Sequence, residues 1–504
     1  MVFASQEFLL FLSVVLTLYA IATARSAAAG RSLLIAASLF FYGYWKPSYL
    51  VILVVSICAN FVIGNRIRNT HGTRAATAWA FIGIAGNLGL IGYYKYFAFL
   101  LDSLNRFGQQ AFEIPDIVLP IGISFFTFQQ IGFLVDEYKG KVGIVRFADY
   151  FLFISFFPQL IAGPIVVQSD MLWQLTRRKD WRLRSRQLAL GIALFTVGLF
   201  KKSVLIDPQV PHIDLVFEHA AAGNAVSFYD AWVGALGYSF QIYFDFSGYS
   251  DMAIGLAFLF GLRLPINFFS PYKATSIRDF WRRWHITLSR FLRDYLYIPL
   301  GGSRHGFART ACALLITMGL GGLWHGAGWT FVLWGIVHGA LLVLEHGYDR
   351  LLKPSLARAV AQIPGAGSAI ALSAYRALCI AVVFVVVTVA WVLFRAPDLP
   401  SAFAMLAGMF GATDVASISE ADGVAEKIPL YLMIVWLAPN AAQMFRRFEI
   451  ALNADDYFDR ERPLVADRLW TYGLGVRWAV VTAIAFVIDW SFLSDLSPFI
   501  YFQF

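Results

Sequence analysis

Charge is what this sequence has least of. Of its 504 residues 14% are charged, against 59% hydrophobic and 17% aromatic, whereas soluble domains carry about 25% charged side chains. So little charge cannot cover a water-facing surface, which excludes an ordinary soluble domain. Cysteine is scarce too. Cys58, Cys312 and Cys379 fall within or beside apolar segments and form no CxxC pair, so they read as small buried hydrophobes and not as a disulfide framework. Walker A, GxGxxG, GxSxG and HExxH patterns are absent, and with them the common nucleotide, hydrolase and zinc sites. Without a nucleotide loop a primary pump is disfavoured. No repeat relates the two halves of the chain, as the halves of an inverted-repeat transporter would be related. The net charge of +8 follows from uneven loops and gives no reason to expect nucleic acid.

What the chain has instead is apolar runs of the length a bilayer core demands of a helix, about 20 residues. The first, 6–24, lacks a basic flank and a small-residue cleavage site, so it is expected to stay as a helix and not to be removed as a signal peptide. Others lie at 32–45, 49–65, 77–96, 117–136, 187–205, 226–245, 250–268, 310–323, 326–346, 372–394, 428–445 and 476–494. A polar loop with Asp102 and Glu113 is expected after the fourth. The stretch 149–166 carries Pro158, Gly163 and Pro164 and is expected to bend back or enter the bilayer partway. The fold class is therefore all-α and polytopic: one membrane-embedded domain over 1–504, with about ten to twelve crossings.

Loop charges set an orientation. Loops 66–74, 177–186 (Lys179 among them), 273–309 and 446–468 are basic; 206–226 and 396–427 (Glu420 among them) are acidic. The positive-inside rule puts the basic set in the cytoplasm and both termini outside. The segment 273–309, with eight Lys/Arg against two Asp, is too polar to span and predicts amphipathic or re-entrant helices.

Ionisable side chains in such surroundings are functional candidates, and they concentrate in 279–339. His325 stands in GGLWHGAGW, where glycines permit a helix break or close helix approach. Two readings are open: a histidine satisfied by a backbone carbonyl, or a general base that takes a proton from a hydroxyl. His285 stands in WRRWHITLS. Around it Arg282, Arg283, Arg290 and Arg293 serve either as a cytoplasmic anchor or as bidentate ligands for a phosphate-bearing donor. Asp245, Ser247 and Asp251, with Tyr243 and Tyr249, form a polar notch that fits helix–helix hydrogen bonding or substrate contact. Gln129 and Asp136 read as helix-interface residues. His338 and His346 read as packing and membrane-edge residues; no metal site is expected. No Ser or Cys stands out as a nucleophile.

Several blocks resemble the membrane-bound O-acyltransferase (MBOAT) family, and within it the alginate O-acetylase branch. They are SFQIYFDFSGYSDMAIGLA (239–257), NFFSPYKATSIRDFWRRWHITLSRFLRDYLYIPLGG (267–302), GLWHGAGWTFVLWGIVHG (322–339), WVLFRA (391–396), PIGISFFTFQQIGFLVDEYKG (120–140), FFPQLIAGPI (156–165) and the FIYFQF tail. Gly132 and Phe133 depart from the Ser-Tyr of many members. The resemblance implies that His325 is catalytic and His285 a second site residue. It further implies crossings arranged around a central tunnel, and a bacterial inner membrane as the setting, so that the outside holding both termini is the periplasm. The same resemblance implies an acetyl donor, acetyl-CoA, held by the arginines; an exopolysaccharide acceptor such as alginate or cellulose; and a periplasmic SGNH-type partner. D-alanyl transfer to teichoic acid is the alternative within the family, and a polymer transporter or flippase with histidine proton relays the alternative outside it.

Overall fold

The computed structural model describes residues 1–108, 111–178, 180–351, 366–417, 421–458, 470–493 and 497–500. Lys179, Glu420, residues 459–468 of the fourth basic loop and tail residues 501–504 lie outside the described residues. In chain order the helices that place the site are α1 Gln6–Arg25, α2 Ala27–Gly43, α3 Ser48–Asn69, α4 Arg74–Ile91, α5 Phe97–Phe107, α6 Ile123–Tyr138, α7 Phe147–Ser155, α8 Phe157–Leu160, α9 Gln168–Arg177 and α10 Ser185–Phe200. They continue as α11 Val210–Ala221, α12 Phe228–Leu259, α13 Ile277–Arg283, α14 Ile286–Leu292, α15 Phe307–His325, α16 Trp329–Leu351 and α17 Ala366–Arg395.

Among the described residues seven helical segments are long and apolar enough to cross a membrane, so the chain is a multi-pass membrane protein. Shorter apolar helices such as α2 fill the space between them. Ser5, Ser26 and Thr73 accept a backbone N–H at the starts of α1, α2 and α4, which supplies one missing helix-end bond each.

Several expectations shift for local reasons. The run 226–245 and the first part of 250–268 form a single 32-residue helix, α12, because the polar notch between them contains no proline to break it; 260–268 leaves the helix as irregular chain. Nearly every side chain of α12 is buried, so it is the axis of the bundle and not a lipid-facing span. The loop expected around Asp102 is helical: a π-turn at Gly92–Tyr96 joins α4 to α5, and Asp102 pairs with Arg106 at 2.9 Å. The stretch with Pro158 and Pro164 does break, into α7, α8 and an irregular run. Cys58 and Cys312 are exposed and not buried; both occupy outward faces of spanning helices, where a small apolar side chain meets lipid.

Helices approach most closely where both partners lack a side chain. A Cβ on Gly198 would stand 2.5 Å from the Gly248 carbonyl oxygen, and one on Gly248 would stand 2.6 Å from that of Gly198, so α10 and α12 touch backbone to backbone. The same holds between α15 and α16: a Cβ on Gly322 would lie 2.2 Å from the Phe331 carbonyl oxygen, and one on Gly335 2.2 Å from that of Met318. This contact seats the end of α15 against its neighbour. Gly335→Ala should therefore destabilise the detergent-purified protein by about 1–3 kcal/mol or more. Gly86→Ala, at a position with nothing within 4 Å, should leave the thermal unfolding midpoint unchanged. Equal midpoints for the two variants would contradict this packing.

Candidate functional site

The two histidines that are forty positions apart in sequence meet in space. Their ring centroids lie 6.2 Å apart, and both side chains are buried. His285 and His325 are therefore neighbours in the protein interior. The short helices of 273–309 fold inward, with Phe280, Trp284 and Leu288 buried.

His285 is the residue before α14 and adopts left-handed backbone angles, φ 42° and ψ 53°. A non-glycine residue in that region is uncommon and signals a conformation fixed by its surroundings. The fixing group is Asn267. Its backbone carbonyl accepts the Ile286 N–H at 2.9 Å. Its side-chain Oδ1 takes the Thr287 hydroxyl at 2.8 Å, the Thr287 N–H at 3.3 Å and His285 Nδ1 at 3.1 Å. The Thr287 N–H can only donate, so the atom facing it is the amide oxygen. His285 Nδ1 then carries the ring proton, and Nε2 is left as the proton-accepting nitrogen. Thr287 Oγ1 in turn accepts the Ile165 N–H at 2.9 Å, and Asn267 Nδ2 donates to Ser250 at 3.3 Å. Burial pushes the His285 imidazole down to about 3, which keeps it neutral near pH 7.

His325 is the last residue of α15. Trp324, Trp334 and Phe394 surround its ring at 5.0, 5.3 and 5.2 Å between centroids. The three carbonyls that end α15 are met by the π-turn at 92–96: Lys95 Nζ donates to Trp324 O at 2.6 Å and to His325 O at 3.0 Å, and the Tyr96 hydroxyl donates to Leu323 O at 3.1 Å. A cation at the negative end of a helix is favourable, and these donors satisfy groups that otherwise lack partners. Beside this helix end is a cavity of about 110 Å³ lined by Lys95, Leu119 to Phe125, Ile161, Trp324 and His325.

The four arginines do not act as one group. Arg283 reaches back to Asp279 at 3.0 Å, and Arg290 forms a two-pronged ion pair with Asp170. Arg293 pairs with its neighbour Asp294 at 2.7 Å and stays well exposed, and Arg282 is exposed. The polar notch of α12 resolves into ion pairs with the turn after α10. Lys201 takes Asp251 at 2.6 Å, while Lys202 takes Asp245 at 2.8 Å and Asp207 at 3.1 Å. Asp136 accepts the Tyr295 hydroxyl at 2.7 Å, an interface role. His338 accepts the Trp281 indole N–H at 3.3 Å and is fully buried, so it packs in the interior and not at the membrane edge. No group of three or more potential metal ligands occurs among the described residues. Asn267 and Lys95 escaped the sequence reading. Lys95, a lone cation in the run GYYKYF, carried the signal that flagged the histidines, and Asn267 carried none beyond its place in a recognised block.

Comparison with known proteins agrees with the geometry. Residues 125–387 match the membrane-bound O-acyltransferase family model. A peptidoglycan O-acetyltransferase of Helicobacter pylori is 41% identical over 407 residues, 76% of this chain and 74% of that protein. A probable alginate O-acetylase AlgI of Azotobacter vinelandii is 37% identical over 527 residues, spanning both chains fully. A teichoic acid D-alanyltransferase of Streptococcus thermophilus is 27% identical over 243 residues, 46% of this chain and 58% of that protein. The chain belongs to the membrane-bound O-acyltransferase family and is an acyltransferase.

Proposed function

We propose that this acyltransferase moves an acetyl group from cytoplasmic acetyl-CoA to a hydroxyl of a polysaccharide on the far side of a bacterial inner membrane, with both termini in the periplasm. The observation that carries the reading is the buried His285–His325 pair beside the cavity, in a chain that aligns end to end with an alginate O-acetylase. His325 serves as general base: it takes the proton of the acceptor hydroxyl as the oxygen attacks the thioester carbonyl. His285, its tautomer held by Asn267, stands next to it as proton relay or acceptor contact. The exposed Arg282 and Arg293 take the phosphates of the donor, and Arg283 and Arg290 join them by exchanging their carboxylate partners. Transfer to the polymer is completed with a periplasmic SGNH-type partner.

Alginate is one acceptor. The 41% identity with a peptidoglycan O-acetyltransferase favours a second, a peptidoglycan hydroxyl. D-alanyl transfer has weaker support, since that likeness covers under half of the chain. Alkali-released acetate, measured separately from the exopolysaccharide and peptidoglycan of cells expressing the protein, distinguishes the two acceptors.

Two variants test the site. His325→Ala should lower ester-linked acetate in that fraction by about 10²-fold or more, the usual weight of a positioned base, with membrane content of the protein unchanged; wild-type acetylation would sink the assignment. Asn267→Ala leaves the donors of His285 and Thr287 without their acceptor, at about 1–3 kcal/mol for a buried unpaired group. It should lower both the thermal midpoint and the turnover of the purified protein, and Thr287→Val should lower turnover less. Full turnover in Asn267→Ala would show that the tautomer of His285 is irrelevant.

A further inference from the structure

Lys95 is a cation with no carboxylate partner among the described residues. It sits at membrane depth, where an ionisable group is costly and calls for a reason. Its two bonds, to Trp324 O and His325 O, account for two of the three N–H donors of an ammonium. Capping a helix end does not require a charge, since the Tyr96 hydroxyl serves the neighbouring Leu323 carbonyl at 3.1 Å. Nor is the side chain sealed away: it is half-buried and lines the same cavity as His325 and Ser124. At about 110 Å³ that space exceeds the roughly 30 Å³ share of one water several-fold, enough for a two-carbon acyl group. The backbone fixes the ammonium to the residue that bears the imidazole, so the two cannot drift apart. The π-turn that delivers it is an irregularity often found at functional sites.

We propose that Lys95 is a catalytic residue that donates its third N–H to the carbonyl oxygen of the donor thioester as that oxygen gains negative charge. This rests on the acyl-transfer reading above. The acceptor oxygen bonds to the carbonyl carbon while its proton passes to His325, and the π pair of the carbonyl moves onto the oxygen held by Lys95. When the intermediate collapses, the C–S bond breaks and its pair leaves with sulfur. The proton on the imidazolium then goes to the thiolate, giving ester and free thiol. Lys95 exchanges no proton. An ammonium beside a newly formed imidazolium is a like-charge pair, tolerable in a poorly solvated site only with an anion between them. The tetrahedral oxygen is that anion.

The test uses the full-length protein purified together with its periplasmic SGNH-type partner, with acetyl-CoA and, as acceptors in separate assays, an alginate oligosaccharide and a peptidoglycan fragment, with thiol release as the readout. Lys95→Met should lower kcat by about 10²–10³-fold, the usual cost of one lost oxyanion donor, with KM for acetyl-CoA essentially unchanged; the two carbonyls it leaves unmet should lower the thermal midpoint as well. Lys95→Arg, which keeps the charge, should retain clearly more turnover than Lys95→Met, and added ethylammonium should restore part of the activity of Lys95→Ala. Wild-type kcat in Lys95→Met overturns the inference. So does a midpoint that falls together with activity when neither arginine nor ethylammonium rescues, since Lys95 would then be a helix cap alone. His325→Ala, assayed alongside, separates the two claims. If it is inactive while Lys95→Met is normal, only the role of Lys95 fails. If it turns over normally, or if the wild type releases no thiol with either acceptor, the underlying reading fails.

Discussion

Asn267 Oδ1 accepts from three groups at once, the His285 ring and the backbone and hydroxyl of Thr287. An amide oxygen that takes three donors in a buried site is a strong constraint, because each donor would carry a desolvation penalty if released. It holds His285 in left-handed backbone angles, fixes which ring nitrogen bears the proton and, through Thr287, ties the irregular stretch after α8 to the start of α14. The 6.2 Å approach of the two imidazoles depends on this junction at one end and on the Lys95 clamp on α15 at the other.

Several charges taken into the interior of the bundle are given an opposite charge or a carbonyl, while the buried Asp230 takes the hydroxyls of Ser227 and Ser417. Lys202 bridges Asp207 and Asp245, and the same two carboxylates hold the chain near its end, Asp207 by the Ser497 hydroxyl at 2.6 Å and Asp245 by the Ile500 N–H at 2.8 Å. Phe499 stacks on Tyr249 at 4.3 Å, and Phe246, one turn away on α12, meets the His285 ring at 4.8 Å. The end of the described chain is thus one aromatic ring removed from the site. Removing one partner of such a buried cluster costs far more than the pair contributes, which is why α12 can carry Asp230, Asp245 and Asp251 and still run as one helix.

Much of this was legible in the sequence, and the reason is local. Apolar run length set the fold class and most of the helices, and the rarity of ionisable residues in apolar surroundings singled out His285 and His325. Depth and contact were not legible. Nothing in the spacing of forty residues says that a basic, tryptophan-rich segment folds inward to bring His285 against His325. Arginine clustering is likewise blind to partners: Asp170 lies 120 positions from Arg290, and of the group that read as anchor or phosphate ligands Arg283, Arg290 and Arg293 are each paired with a carboxylate. Lys95 is also an ionisable residue in an apolar run, but its sequence neighbours do not show what it meets, and only the geometry shows it holding the end of α15.

If acyl transfer takes place at His325, the acyl group enters the cavity beside that ring, and occupancy of the cavity is the most direct test. A cryo-EM structure of the full-length protein with a non-hydrolysable thioether analogue of acetyl-CoA should show the acyl carbonyl in the cavity lined by Lys95 and His325, within hydrogen-bond reach of the imidazole, with the CoA phosphates on the Arg282 and Arg293 side. Density for the acyl end elsewhere in the bundle, with the cavity at Lys95 and His325 empty, would contradict it.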